Sequence, residues 1–323
     1  MKKTLFTALF VAIASFSGSA IADSYPSKPV KVIVPFAPGG GIDVLIRAVG
    51  AELGQRWGQA VVVENKPGAG SLIGASMAAN APADGYTLLA TVNQTLVGNR
   101  FLYKELPYDP DKSFDPITMM VKADQLIIAS ADLPAKSLKE VVDMQRRKPG
   151  SLTYGSFGNG SQPHLLFETI NKNESLDLLH IPYKGITPML TALAGGQVKL
   201  GTGSVAVAAP LIAAGKIKPI SVAGDSRVAQ FPDVPTTTEE GFPYVKTSIW
   251  YGLFAPAGTP KHIVDKIRTD VQAVLRNPTF AEQFAVSKGL TVIAGDADQL
   301  RTTIKQETVA TGAMVKAAGV VAE

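Results

Sequence analysis

Short runs of β-branched residues alternate with helical patterns along most of the chain, and this alternation restricts the fold more than any other feature. Residues 30–36 are almost continuously apolar, as in a strand covered on both faces. Residues 61–64 and 87–92 predict two further strands, and helices are predicted between the three, over residues 43–57 and 71–80. The order β-α-β-α-β implies parallel strands joined by right-handed crossovers.

A second alternating series follows, interrupted on both sides by proline-containing segments at 106–116 and 231–243. Its strands are predicted at residues 126–130, 152–156, 178–183, 198–202 and 217–223, with helices from 137, 163, 187 and 205. One more strand, 249–255, and a helix over 260–277 follow the second interruption. We therefore expect an α/β protein of two lobes with a cleft and two connecting strands: lobe 1 is 23–115 plus 236–323, and lobe 2 is 116–235.

The N-terminus has the pattern of an export signal. Lys2 and Lys3 precede an apolar run over residues 5–16, and Ala20 and Ala22 supply the small residues that signal peptidase requires. A membrane anchor is the alternative, but the run is much shorter than the roughly 20 residues that span a bilayer. We expect residues 1–22 to be a signal peptide cleaved after Ala22, and the mature protein to be periplasmic.

Composition excludes several classes of function. The 31 basic and 27 acidic residues give a net charge of +4 that is spread along the chain, so a nucleic-acid partner is not expected. The absence of cysteine removes thiolate chemistry and Cys-ligated metals, and the three histidines are far apart in sequence. The glycines at 68–74 miss the dinucleotide spacing, and no P-loop occurs. We expect no metal, no cofactor and no catalytic residues.

Two glycine-rich loops, one in each expected lobe, each follow a strand and precede a helix. The first contains Gly39, Gly40 and Gly41, with Asp43 expected to cap the helix; the second runs over residues 155–164, with Ser161 as the cap. Ligands bind where parallel strands end and helix N-termini expose N–H groups, and glycines allow close approach to the backbone. A turn without a ligand is the alternative for either loop alone. Two such loops, one in each expected lobe, are more informative than either alone, and a carboxylate held between them would need hydrogen bonds from both lobes.

Seven spaced motifs then identify a family that the chain resembles. They are Pro35-Phe36-x-Pro38-Gly39-Gly40-Gly41-x-Asp43, Val63 to Gly70, Ala83 to Leu89, His180-Ile181-Pro182-Tyr183-Lys184-Gly185, Gly195 to Val198, Pro232 to Thr236, and Trp250-Tyr251-Gly252-Leu253-x-Ala255-Pro256-x-Gly258-Thr259-Pro260. In order and spacing they resemble the Bug-type solute receptors of tripartite tricarboxylate transporters, over nearly the whole mature chain.

The resemblance implies a type II periplasmic-binding-protein fold that captures a small carboxylate by cleft closure and delivers it, as a monomer, to membrane transporter components. It also implies a ligand site without catalytic residues or metal. Carried over residue by residue, the expected ligand-binding positions are Phe36, Ala37, Gly40, Gly41 and Asp43 in the first loop, Gly158, Asn159, Gly160, Ser161 and His164 in the second, and Tyr183, Lys184, Gly185, Thr187, Gly203 and Ser204 at neighbouring strand ends.

Two residues depart from the family pattern, which commonly has Pro at Ala37 and Thr at Ile42. Ile42 would add apolar area beside the cleft, and with Phe36, Phe157, Tyr183 and Trp250 nearby the ligand could be an aromatic mono- or dicarboxylate. Two other functions stay open from sequence. One is an exported hydrolase using Ser161 or Ser204, and the other is a receptor that feeds a signalling partner.

Overall fold

The computed structural model describes residues 25–183, 185–224 and 226–322, so the expected signal peptide and Lys184 lie outside the described residues. The strands are β1 (Val30–Val34), β2 (Val61–Asn65), β3 (Thr87–Val92), β4 (Phe114–Ser130), β5 (Thr153–Ser156), β6 (Leu179–Pro182), β7 (Leu200–Ser204), β8 (Ile217–Val222), β9 (Ser248–Pro256) and β10 (Thr291–Val292). The helices are α1 (Gly41–Trp57), α2 (Leu72–Ala79), α3 (Asn99–Leu102), α4 (Leu138–Arg147), α5 (Gln162–Glu174), α6 (Ile186–Ala194), α7 (Val205–Ala213), α8 (Lys261–Leu275), α9 (Pro278–Phe284) and α10 (Ala297–Ala318).

Within the described residues, all ten strands belong to one mixed sheet. Eight of them follow the order β2-β1-β3-β9-β4-β7-β5-β6, and β8 and β10 each pair with β4. β1 pairs in parallel with β2 and β3, which confirms the β-α-β-α-β interpretation of the first series. β5 pairs in parallel with β6 and β7. β4 and β9 run antiparallel to their neighbours and join the two parallel halves. The α/β fold class is therefore confirmed.

β4 is the element that connects the two halves of the sheet. Residues 114–124 of β4 pair with β9, whereas residues 125–130 pair with β7 and β8. The sheet changes partners between Asp124 and Gln125, nine residues beyond the expected boundary at 115/116. The prolines that suggested a linker precede this point, and Pro116 lies inside β4 beside a register shift, where a missing N–H is tolerated.

The return to the first half also lies later than expected. The backbone N–H of Thr237 donates to the Val222 carbonyl, and Phe242 and Val245 are buried in a core of the second half. Thr247 still donates its N–H to Ala223, and β9 begins at the next residue. Residues 236–247 therefore pack on the second half, and we propose lobe boundaries at 124/125 and 247/248.

Each half of the sheet is covered on both faces by a separate apolar core. In the first half α1 and α8 cover one face, and the predicted stripe of α8 is buried at Ile267, Val271 and Leu275. α2 and Leu300 of α10 cover the opposite face. The second half packs α4 and α5 on one face and α6 and α7 on the other. No helix among the described residues is both long and apolar enough to cross a membrane.

Candidate functional site

The strand register brings the carboxyl ends of both halves to the point where β4 crosses. In the first half, β1 and β3 run toward the crossing, and Val92 at the end of β3 pairs with Tyr251 of β9, which begins at Ser248 opposite Asp124. In the second half, Ser204 at the end of β7 pairs with Gln125. β5 and β6 run parallel to β7 and end on the same edge. Loops from both halves therefore flank one cleft, as expected for ligand sites in parallel α/β sheets.

The first glycine-rich loop ends in an uncapped helix N-terminus. Gly40 is the N-cap of α1 and has extended backbone, and no side chain in the described part of the chain caps the first-turn N–H groups. Gly39 has a φ of +82°, which glycine adopts without steric cost. Ala37, Gly40 and Gly41 are exposed, whereas Phe36 is half-buried against the core. The free N–H groups and the helix dipole favour an anion at this position.

Asp43 holds the first loop from inside instead of capping the helix, so the expected capping role is wrong. Its buried carboxylate accepts hydrogen bonds from the Gly39 N–H at 2.9 Å, from Arg47 Nε at 3.0 Å and from Asn65 Nδ2 at 2.9 Å. Asn65 Nδ2 also donates to the Phe36 carbonyl. Burial alone would raise the pKa of Asp43, but these hydrogen bonds and the Arg47 charge lower it. Asp43 is a positioning residue for the loop.

Ile42 and Trp250 do not border the cleft as the sequence suggested. Ile42 is 4% exposed and lies in the core beneath α1. Trp250 is 1% exposed in the core on the opposite face of the sheet, where its Nε1 donates to Glu307 Oε2 at 2.9 Å. The ring of Trp250 was expected near the ligand. The residue of β9 that reaches the first glycine-rich loop is instead its neighbour in the sequence.

That residue is Tyr251, which is not among the expected ligand-binding positions. Its hydroxyl lies so close to Gly41 that a Cβ at this glycine would overlap it, and the ring carbon bearing the hydroxyl would be 3.3 Å away. Tyr251 is 9% exposed, and burial raises the pKa of its hydroxyl to about 12. The available signal was its place in the Trp250-Tyr251-Gly252 motif, but alternation along a strand does not show which residue faces a ligand.

The second loop is shaped by hydrogen bonds to its own backbone. Gly158 and Gly160 have φ values of +131° and +69°. Ser161 is the N-cap of α5 as expected, but its hydroxyl donates to the Gly158 carbonyl at 2.6 Å instead of capping the helix. His164 Nδ1 accepts from the Gly160 N–H at 2.9 Å. Ser161 and His164 therefore do not form a nucleophile–base pair, which removes the geometry that a hydrolase using Ser161 would need.

Two histidines that are distant in sequence stack beneath this loop. The ring centroids of His164 and His180 are 4.0 Å apart, and the ring planes are nearly parallel, with an interplanar angle of 7°. His180 Nε2 lies 2.6 Å from Ser156 Oγ, which also accepts from the Gly158 N–H. Burial lowers the pKa of both imidazoles, and the neighbouring His164 helps to lower that of His180 to about 4. Both rings are neutral at pH 7 and support the loop as hydrogen-bonding groups.

The remaining expected positions lie at the other strand ends. Asn159 is exposed, and it shares a cavity with His164 and the C-terminal residues 318–321. Gly160 faces Leu102 and Val320, where a Cβ would overlap Leu102. Gly185 and Ser204 are the N-caps of α6 and α7. Tyr183 is half-buried against a core, and Thr187 is exposed. Gly203 is buried against Val207.

Comparison with known proteins agrees with this architecture. Residues 45–320 match the family described as "Tripartite tricarboxylate transporter family receptor". Protein BugT of Bordetella pertussis is 32% identical over 300 residues, which cover 93% of this chain and 92% of BugT.

Two solved structures of relatives contain carboxylates. A protein of R. palustris solved with adipate is 31% identical, with a TM-score of 0.84 over 93% of this chain and all of its own. MatC of Rhodopseudomonas palustris, solved with bound malate, is 31% identical, with a TM-score of 0.78 over 90% of this chain and all of its own. A third structure, of the periplasmic binding protein BugD, is 35% identical, with a TM-score of 0.79 over 93% of this chain and all of its own, which confirms the expected fold family.

Proposed function

The chain belongs to the tripartite tricarboxylate transporter receptor family of solute-binding, non-enzymatic proteins, and we propose that it captures a small dicarboxylate in the periplasm. It acts as a monomer and presents the ligand to transporter components in the membrane. The observation that carries this proposal is the uncapped N-terminus of α1, exposed on a glycine loop at the edge where both halves of the sheet meet. An anion there receives N–H donors and the helix dipole without a metal.

A dicarboxylate fits because a second helix N-terminus lies on the opposite side of the cleft. The N-cap Ser161 directs its hydroxyl to Gly158, so no side chain caps α5 either. One carboxylate can bind at each helix, and the two halves are then linked through the ligand. The relatives solved with adipate and malate bind dicarboxylates of different lengths. This is consistent with one carboxylate site on each half and a distance between the two sites that differs among receptors.

Capture by closure follows from this division of donors. A ligand held by α1 alone gains the contacts of α5 only when the halves approach, so binding shifts the population toward the closed form. The closed shape is the state that a membrane partner can distinguish from the empty receptor. An aromatic carboxylate is a weaker candidate, because Trp250 lies in the core and leaves Phe36, Phe157 and Tyr183 as half-buried rings.

The test is a thermal-shift screen of the full chain, expressed with its leader and purified from the periplasm of a Gram-negative host. The probes are adipate, malate, citrate, benzoate and phthalate. A ligand that binds only the folded protein adds about 2.7 kcal/mol of stability at 100 times its dissociation constant. We expect a clear increase in Tm with at least one aliphatic dicarboxylate. No shift with any probe would overturn the proposed function.

Two glycine variants of the same helix locate the binding. A Cβ at Gly40 meets only the Ala37 carbonyl, at 3.7 Å, so Gly40→Leu is expected to fold and to obstruct the N–H groups beside it. Gly54, near the other end of α1, has similar room, with the Gln59 carbonyl at 3.5 Å, and Gly54→Leu is the matched control. The shift should disappear in the first variant and persist in the second. Equal shifts in both would remove the site from α1.

A further inference from the structure

Tyr251 is a largely buried residue whose hydroxyl has no hydrogen-bond partner among the described residues. The residue is 9% exposed, and no side-chain or backbone group among the described residues bonds to its hydroxyl. A tyrosine hydroxyl can donate and accept a hydrogen bond, and one that finds no partner in the protein bonds to water or to a ligand. The unpaired hydroxyl is therefore a group whose partner is expected to be a ligand or an ordered water.

Other buried tyrosines of the chain show the usual arrangement. The Tyr108 hydroxyl donates to the Thr95 carbonyl at 2.6 Å, and the Tyr154 hydroxyl donates to Glu168 at 2.6 Å. Tyr25, which is partly buried, donates to the Gly85 carbonyl at 2.6 Å. Tyr251 differs from these residues in its position, since its hydroxyl is directed at the first residue of α1.

The hydroxyl lies beside the first residue of α1. Gly41 is the first residue of α1, and because it has no Cβ, the phenol can lie directly against the helix N-terminus. The nearby carboxylate of Asp43 is already bound to Gly39, Arg47 and Asn65. It does not compete for these donors. An oxygen anion at this position would accept hydrogen bonds from backbone N–H groups and from a tyrosine O–H together.

We propose that Tyr251 is a ligand-binding residue, whose O–H donates to the carboxylate held at the N-terminus of α1. This assignment rests on the proposed function and deepens it, because it adds a side-chain donor to a site otherwise made of backbone. A phenol O–H donates to an anionic oxygen at short distance, so Tyr251 favours ligands whose carboxylate is ionised over neutral analogues such as amides.

The experiment compares Tyr251→Phe with Tyr108→Phe by isothermal titration with adipate and malate, and by thermal unfolding without ligand. Tyr251→Phe removes a hydroxyl that has no protein partner, so the Tm should stay near that of the wild type while the dissociation constant rises about tenfold or more. Tyr108→Phe removes a paired hydroxyl, so the Tm should fall while affinity is unchanged. These opposite signatures separate a ligand contact from a structural role.

A second variant tests the geometry without touching the tyrosine. Gly41→Ala places a methyl group where the Tyr251 hydroxyl lies, and should weaken binding in the wild-type background but much less in Tyr251→Phe. Unchanged affinity in Tyr251→Phe, with a wild-type protein that binds, would overturn this assignment and leave the proposed function intact. A wild-type protein that binds neither probe would overturn both.

Discussion

Replacing Asp43 by Asn tests whether a buried carboxylate organises the ligand loop. The carboxylate Oδ2 accepts from the Gly39 N–H, while Oδ1 accepts from Arg47 and Asn65. An asparagine side chain keeps one acceptor oxygen and turns an NH₂ group toward the donors on the other side. At least one partly buried donor therefore loses its partner, and the charge that attracts Arg47 is removed.

The magnitude follows from the burial of each bond. A hydrogen bond to a charged group contributes about 1.5–3 kcal/mol, and a buried donor left unpaired adds a desolvation cost. Arg47 is half-exposed, so its ion pair with Asp43 contributes about 1 kcal/mol or less. We expect Asp43→Asn to lower the free energy of unfolding by about 3 kcal/mol, which lowers the Tm by about 5 °C in a protein of this size.

The assay is urea unfolding followed by titration with the dicarboxylate that stabilises the wild-type protein. Asp265→Asn is the matched control, because Asp265 lies in the second turn of α8 and its ion pairs with Lys261 and Arg268 are at the surface. The control should keep a stability close to that of the wild type and keep its affinity, because exposed ion pairs contribute little. Asp43→Asn should lose stability and bind more weakly, since Gly39 and Asn65 no longer fix the loop. Wild-type stability and affinity in Asp43→Asn would refute this account.

Further predictions concern pH and two other buried sites. Because the folded pKa of His180 is about 4 and an unfolded histidine has a pKa near 6.5, the unfolded chain binds more protons between these values. Stability should fall as the pH falls from about 6.5 to 4, measured as Tm in buffers of equal ionic strength, and a constant Tm would contradict this. Burial raises the pKa of Glu307, so Glu307→Gln, which keeps an acceptor for Trp250, should be at least as stable as the wild type at pH 7 in urea; a large loss would show that the charge is required. Gly160→Val should unfold at lower temperature, because its φ is +69° and Leu102 occupies the Cβ position; an unchanged Tm would show that α3 can shift.

Most of the fold could be predicted from local patterns in the sequence. Periodicity and turn residues located the strands of both series, and β3 begins and ends at the predicted residues. Such patterns indicate whether a segment is buried and at what spacing its apolar residues recur, which is sufficient to locate single strands and helices. The order β-α-β-α-β also gave the parallel pairing of the first three strands, because crossover handedness and burial leave few alternatives.

The crossing between the halves could not be located in the same way. β4 continues for 17 residues through the boundary, so no change in composition marks the point where its partners change. That point depends on which strands meet at Asp124 and Gln125, and pairing over long distances leaves no local signal. Prolines at 106–116 were a misleading signal, since one of them is accommodated at a register shift.

The candidate site shows the same difference between local features, which the sequence reveals, and contacts over long distances, which it does not. Glycine loops at helix starts were visible in the sequence, because glycine and cap residues act locally. The support of these loops was not visible. Asp43 depends on Asn65, 22 residues away, and the His164 ring depends on His180. Tyr251 reaches α1 from a strand more than 200 residues later in the chain.

The most direct test of the central claim is a crystal structure of the protein with the dicarboxylate that gives the largest thermal shift. We expect one carboxylate within hydrogen-bond distance of the α1 N-terminus at Gly40 and Gly41, and the other at the α5 side near Ser161, with the two halves closed around the ligand. A ligand bound elsewhere on the surface, or one whose carboxylates contact neither helix N-terminus, would contradict the account.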